Sequence, residues 1–209
     1  DLVYSQSEIK EIIKDENFSN FRYDYYAKDI VNDITGLTPY ENILKVVTTC
    51  KKYIENFSTH YQNLLIYGNA GVGKTFLANS IANELLNKAI TVIYLTSFQL
   101  FEILEKNKFQ KSNEQYKQVT NIGEDFIFEC DLLIIDDLGT ELNNSFVTSQ
   151  LYNCINERHL KKKSTIISTN LSPEELLTTY SERISSRLIG NYTFLNVYGD
   201  DIRYMKHTR

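Results

Sequence analysis

One segment constrains this chain more than any other. Gly68-Asn69-Ala70-Gly71-Val72-Gly73-Lys74-Thr75 follows the pattern Gly, four residues, Gly-Lys-Thr. Before it runs Leu64-Leu65-Ile66-Tyr67, a short apolar stretch. After it, from Lys74 to about Lys88, Leu77, Ile81 and Leu85 recur at helical spacing. A buried strand feeding a glycine-rich turn that opens a helix is the context in which this pattern binds phosphate. The glycines let backbone N–H groups converge on phosphate oxygens, and the helix N-terminus adds its positive end. Lys74 is placed to reach the β- and γ-phosphates, and Thr75 to offer its hydroxyl to Mg²⁺. A glycine turn that binds nothing is the competing reading, and the flanking strand and helix argue against it.

A phosphate loop also needs a carboxylate at the tip of a neighbouring strand to hold the metal shell. Leu132-Leu133-Ile134-Ile135 runs directly into Asp136 and Asp137. Asp136, expected to end the strand, is the metal-side candidate together with Thr75. Asp137 is placed to polarise an attacking water. That both merely cap a loop is the bland alternative. The two motifs together predict binding of ATP with Mg²⁺.

The rest of the chain repeats strand and helix. Thr91–Leu95, Thr165–Ile167 and Phe194–Val197 read as further strands, with helical segments at about 98–106, 113–128, 145–161 and 173–188, the last broken near Tyr180. Apolar strands without alternation, joined by helices, predict an α/β fold: a three-layer parallel sheet of about five strands. Thr38, Pro39 and Glu41 form a helix start with a capping box, as do Ser172, Pro173 and Glu175. Residues 1–36, polar and Tyr-rich, are expected to be an N-terminal extension packed on a core spanning 37–209. Tyr25 and Tyr26 could wall a base, or simply strap the chain down.

Two further features bear on function. Asn170 follows the fourth strand, beside the expected γ-phosphate position. Arg183 and Arg187 lie one helical turn apart, on one face, in a chain that otherwise favours Lys. Arginine offers a planar fork to phosphate oxygens, and a surface salt-bridge face with Glu182 or Glu175 is the alternative.

Composition excludes other classes. Lys and Arg number 22 against 27 Asp and Glu, a net charge of −5, so a wholesale nucleic-acid coat is excluded and any contact with nucleic acid is local. Phe101, Lys106, Lys108, Phe109, Lys111, Tyr116 and Lys117 interleave basic and aromatic groups as single-stranded DNA sites do, although Glu102, Glu105 and Glu114 fit a solvated helix equally well. Lys161-Lys162-Lys163 reads as a solvated helix end. Three scattered cysteines and three scattered histidines give no disulfide framework and no metal site, which suits a cytoplasmic protein. No apolar run reaches a membrane span.

The motifs in order resemble an AAA+ ATPase of the DnaC/DnaI helicase-loader type over residues from about 36 to 209. Gly68–Thr75 matches Walker A, Leu132–Gly139 Walker B in its Asp-Asp-Leu-Gly form, Ser168-Thr169-Asn170-Leu171 sensor I, and Ser181–Leu188 the arginine-finger box. Gly199-Asp200-Asp201-Ile202-Arg203 is also loader-like. The resemblance implies a protein that places the replicative helicase on single-stranded DNA, self-associates when ATP is bound, and cleaves ATP at a subunit interface with Arg187, and perhaps Arg183, supplied in trans. It also implies a separate N-terminal helicase-binding domain, expected to be absent here since the sequence opens on Asp1. Two departures stand out. Asp137 is one methylene shorter than the Glu of many AAA+ proteins, which predicts slow hydrolysis. There is no room for a full helical lid, which leaves Arg203 as the tail's weak substitute for a lid arginine. A transposase-partner ATPase of the same clade and a nucleotide-gated binding module are the alternative readings. An initiator with a helix-turn-helix domain is disfavoured by the ending at Arg209.

Overall fold

The computed structural model describes residues 15–111 and 122–205. Ser7–Ile13, Glu114, Tyr116, Lys117 and His207 lie outside the described residues, as do the side chains of Lys108, Phe109 and Lys111.

Five parallel strands form one sheet: β1 (Asn63–Tyr67), β2 (Val92–Thr96), β3 (Leu132–Leu138), β4 (Ser164–Thr169) and β5 (Tyr192–Asn196). Their spatial order is β2-β3-β4-β1-β5. Helices α1 (Pro39–Asn56), α2 (Lys74–Asn87), α3 (Ser97–Lys111), α4 (Ile122–Glu129), α5 (Ser145–Leu160), α6 (Pro173–Thr179), α7 (Glu182–Asn191) and α8 (Ile202–Met205) connect and cover it.

Side chains alternate across a strand, so an uninterrupted apolar run loads both faces. Leu64, Ile66, Leu132, Ile134 and Ile166 pack against α1 and α2 through Ile43, Cys50, Leu77 and Ile81. Leu65, Leu133, Ile135 and Ile167 pack against α3, α5 and α7 through Leu100, Leu151, Cys154 and Ile184. The predicted three-layer sheet is therefore the observed one. Helix α1 starts at the predicted capping box: Thr38 Oγ1 accepts from the Glu41 N–H at 3.2 Å, and Glu41 Oε2 accepts from the Thr38 N–H at 2.9 Å.

One strand differs from expectation. Asp136 was expected to end β3, yet the strand runs on to Leu138, with a register shift against β4 between Ile135 and Leu138. Asp137 sits there with φ of 55°, in the left-handed region. In a regular strand Asp136 and Asp137 would face opposite sides of the sheet. The bulge re-aims the chain so that both reach the same edge.

At the opposite, N-terminal edge of the sheet, Arg158 of α5 is fully buried. Its guanidinium donates to Ile127 O at 2.6 Å, Cys130 O at 3.1 Å, Ser164 O at 2.5 Å and Thr165 Oγ1 at 3.0 Å. It thereby ties the end of α4 to the start of β4. Satisfying several buried carbonyls at once is what makes a buried arginine tolerable.

Candidate functional site

The strand order places the turn after β1 beside the tips of β4 and, one strand further, β3. These are the positions at which open α/β sheets collect ligands. Gly73, at φ of 99°, is the N-cap of α2, a left-handed conformation that glycine alone adopts without strain. Gly68 is required for space as well, because a Cβ there would lie 1.9 Å from the backbone carbonyl oxygen of Val197.

Lys74 is buried, and its Nζ donates to Gly68 O at 2.9 Å, Asn69 O at 2.7 Å and Asn170 Oδ1 at 2.6 Å. Burial lowers its pKa, opposed by Asp137 and Asp136. Thr75 Oγ1 donates to Asp136 Oδ2 at 3.1 Å. Asp136 is also bonded by the hydroxyls of Ser168 and Tyr94, the latter at 2.5 Å. Asp137 is half-buried, and burial with the neighbouring Asp136 raises its carboxyl pKa. The Asp137 N–H donates to Ser168 Oγ at 3.1 Å, which anchors the bulge to β4. Lys74, Thr75, Asp136, Asp137 and Asn170 thus meet in one place, from three different strand ends.

A cavity of about 410 Å³ opens on this cluster. Ala70, Gly71, Gly73, Lys74, Thr75, Asp137 and Asn170 line its polar side. Apart from Phe76 and Thr140, residues from the two ends of the described chain form the rest, among them Tyr25, Tyr26, Ile202 and Arg203. Tyr26 is buried, stacks on Phe21 with ring centroids 6.0 Å apart, and donates from its hydroxyl to Val72 O at 2.8 Å. It is therefore both strap and wall. The Ile202 N–H donates to Gly71 O at 3.0 Å, so the tail is fastened to the same turn. Arg203 lines the cavity while its guanidinium forks onto Asp201, at 2.9 and 2.6 Å.

Arg183 and Arg187 do not line this cavity. They sit on α7, Arg183 exposed and Arg187 half-buried. Arg187 O accepts from Asn191 Nδ2 at 2.9 Å, and Asn191 O accepts from Asn63 Nδ2 at 3.1 Å, at the start of β1. This is the N-terminal edge of the sheet. Among the described residues neither arginine pairs with Glu182 or Glu175; Glu175 is committed to the capping box of α6.

Sequence reasoning missed Tyr94 and the Ser168 hydroxyl as partners of Asp136, and Ile202 as a wall. For Tyr94 a signal existed: a hydroxyl inside the run Val92-Ile93-Tyr94-Leu95 needs a partner once the strand is covered.

The donor set fits a nucleoside triphosphate with its metal. Thr75 and Asp136 offer hard oxygens suited to Mg²⁺, and Lys74 beside the backbone of a glycine turn that opens a helix suits phosphate. Parallel sheet, glycine turn and facing carboxylate define a P-loop core of the AAA+ kind.

Comparison with known proteins agrees. The profile described as "Bacterial DnaA ATPAse domain" matches residues 45–193. The replicative helicase loader DnaC of Escherichia coli (strain K12) is 26% identical over 164 residues, which are 78% of this chain and 65% of that protein. The chromosomal replication initiator protein DnaA of Campylobacter fetus is 32% identical over 127 residues, 61% of this chain and 27% of that protein. Among solved structures, AMPPCP-bound DnaA from Aquifex aeolicus superposes with a TM-score of 0.67 at 22% identity, covering 93% of this chain and 55% of that one. A DnaC helicase loader superposes with a TM-score of 0.66 at 19% identity, covering 90% and 99%. The chain belongs to the family of the bacterial DnaA ATPase domain, with a DnaC-like AAA+ core. It spans 65% of the length of the Escherichia coli loader. Loader and initiator share this core.

No helix among the described residues is long and apolar enough to cross a membrane.

Proposed function

We propose that the chain is the ATPase core of a helicase loader, which binds ATP with Mg²⁺ at Gly68–Thr75 and acts on the replicative helicase at single-stranded DNA. The observation that carries the nucleotide reading is the convergence of Thr75 Oγ1 on Asp136, 3.1 Å apart, beside a buried Lys74. Gly68, Asn69, Ala70, Gly71, Val72 and Gly73 cradle the phosphates through their backbone. Lys74 bonds the β- and γ-phosphates, exchanging loop carbonyls for phosphate oxygens. Thr75 and Asp136 hold Mg²⁺, which when bound neutralises charge on the β- and γ-oxygens. Asp137 orients the attacking water, and Asn170, already on Lys74 at 2.6 Å, contacts the γ-phosphate.

Arg187, with Arg183 one turn away, acts on a neighbouring copy. Its location at the edge opposite its own cavity supports this. Self-association then follows ATP binding, and turnover of the monomer is slow. The loader reading rests on the DnaC relatives, and the helicase is the expected partner. DNA contact is local and weak.

The test is ATP turnover by the natural full-length protein with purified replicative helicase and single-stranded DNA. The loader reading predicts helicase binding and stimulated turnover. Binding of a transposase in place of a helicase would replace it with the transposase-partner reading. Nucleotide-dependent partner binding without any single-turnover cleavage would make the chain a nucleotide-gated module.

A further inference from the structure

Asp136 is held by hydroxyls from three elements. Thr75 on α2 donates to Oδ2 at 3.1 Å, Ser168 on β4 donates to Oδ1, and Tyr94 on β2 donates to Oδ2 at 2.5 Å. Thr75 and Ser168 lie within sequence motifs that already point to phosphate chemistry. Tyr94 lies in none. It stands in the middle of β2, level with Ile134 of β3, while Thr96 pairs with Asp136 itself. Its ring packs at the rim of the core formed by α1, α2 and the sheet, so the phenol crosses from β2 to the β3 tip.

A carboxylate's terminal torsion is broad and poorly fixed by its own rotamer preferences. Asp136 sits at a bulge, where the backbone ladder gives less support than in a regular strand. A phenol donor on one oxygen and a serine hydroxyl on the other fix the plane of the carboxylate. The remaining acceptor capacity of Oδ2 then points toward Thr75 Oγ1. We infer that Tyr94 is a positioning residue for the metal carboxylate, holding Asp136 so that it and Thr75 present oxygens together to the divalent cation of a bound nucleoside triphosphate. The inference rests on the ATP–Mg²⁺ reading of this site. Partners that orient a ligating side chain generally change metal affinity by about 10–100-fold when removed.

Tyr94→Phe keeps the ring and deletes only the donor. The measurement is ATP binding by calorimetry across a Mg²⁺ titration, with parallel binding in EDTA and a thermal melt, for wild type, Tyr94→Phe and Asp136→Asn. The expected result for Tyr94→Phe is a roughly tenfold higher Mg²⁺ concentration for half-maximal enhancement, with EDTA binding and melting temperature as in wild type. An unchanged or lowered Mg²⁺ requirement overturns the inference. So does a loss of EDTA binding and of melting temperature together, which would mark the phenol as a general structural contact. If Asp136→Asn keeps the wild-type Mg²⁺ response, or wild type shows none, the ATP–Mg²⁺ reading itself fails, independently of Tyr94.

Discussion

The two ends of the sheet each bury a cation, and they use it in opposite ways. At the N-terminal edge, Arg158 is fully enclosed and bonded to carbonyls and a hydroxyl at the end of α4 and the start of β4. At the C-terminal edge, Lys74 is almost as buried, at 5% exposure, but its partners are two carbonyls of a glycine turn and one exposed amide, and it lines a cavity. Arg158 is wholly enclosed, so its bonds serve the fold. Lys74 holds bonds that an anion can replace, next to backbone in left-handed conformations and a bulged strand. Polar contacts that an anion can exchange gather at this edge, as expected of a phosphate-binding turn. The N-terminal edge carries Arg187 instead, which does not line its own chain's cavity.

This contrast can be broken by substitution. If Arg187 serves a neighbour's nucleotide, Arg187→Ala should lower partner-stimulated ATP turnover by about 10³-fold, the low end for an arginine supplied in trans. Nucleotide affinity of the monomer should stay as in wild type. Equal turnover would move the arginine out of the mechanism. Arg158→Ala strips donors from several buried acceptors and should cost about 3–5 kcal/mol of stability. In a domain of this size that lowers the melting temperature by roughly 10 °C. A small drop would show that water replaces the guanidinium, and that the N-terminal edge is less closed than its geometry says. Thr38→Ala removes the cap of α1, which bonds to neither cation, and should cost about 1 kcal/mol. Its effect on the melt should be the same with and without ATP; a nucleotide-dependent effect would link α1 to the site.

How much of this was legible in the residues differs between the two edges. At the C-terminal edge, Gly68–Thr75, Asp136, Asp137 and Asn170 were readable as candidates, because phosphate chemistry demands those types near strand ends. Their convergence followed from the parallel sheet. Tyr94's need for a partner was readable but the partner itself was not, because it depends on which strand lies beside β3, and local sequence does not specify strand order. The extension of β3 past Asp136 was hidden for a related reason: a bulge at a left-handed Asp leaves no glycine as its mark. At the N-terminal edge, nothing in the local sequence sets Arg158 apart from the other charged residues of the helical segment 145–161. Only the packed end of α4 shows why it is buried. The tail's docking on the glycine turn was equally silent, since Asp201 and Ile202 meet Gly71 through tertiary contact alone.

The central claim is that the C-terminal edge binds ATP with Mg²⁺ through Lys74. Thermal melting of wild type and Lys74→Ala, each with and without ATP and Mg²⁺, tests it most directly. At a hundredfold excess over Kd, wild type should gain about 2.7 kcal/mol, a rise of roughly 5–10 °C for a domain of this size. Lys74→Ala should melt near wild type without nucleotide and gain nothing with it. A variant that is stabilised by ATP as strongly as wild type would contradict the account.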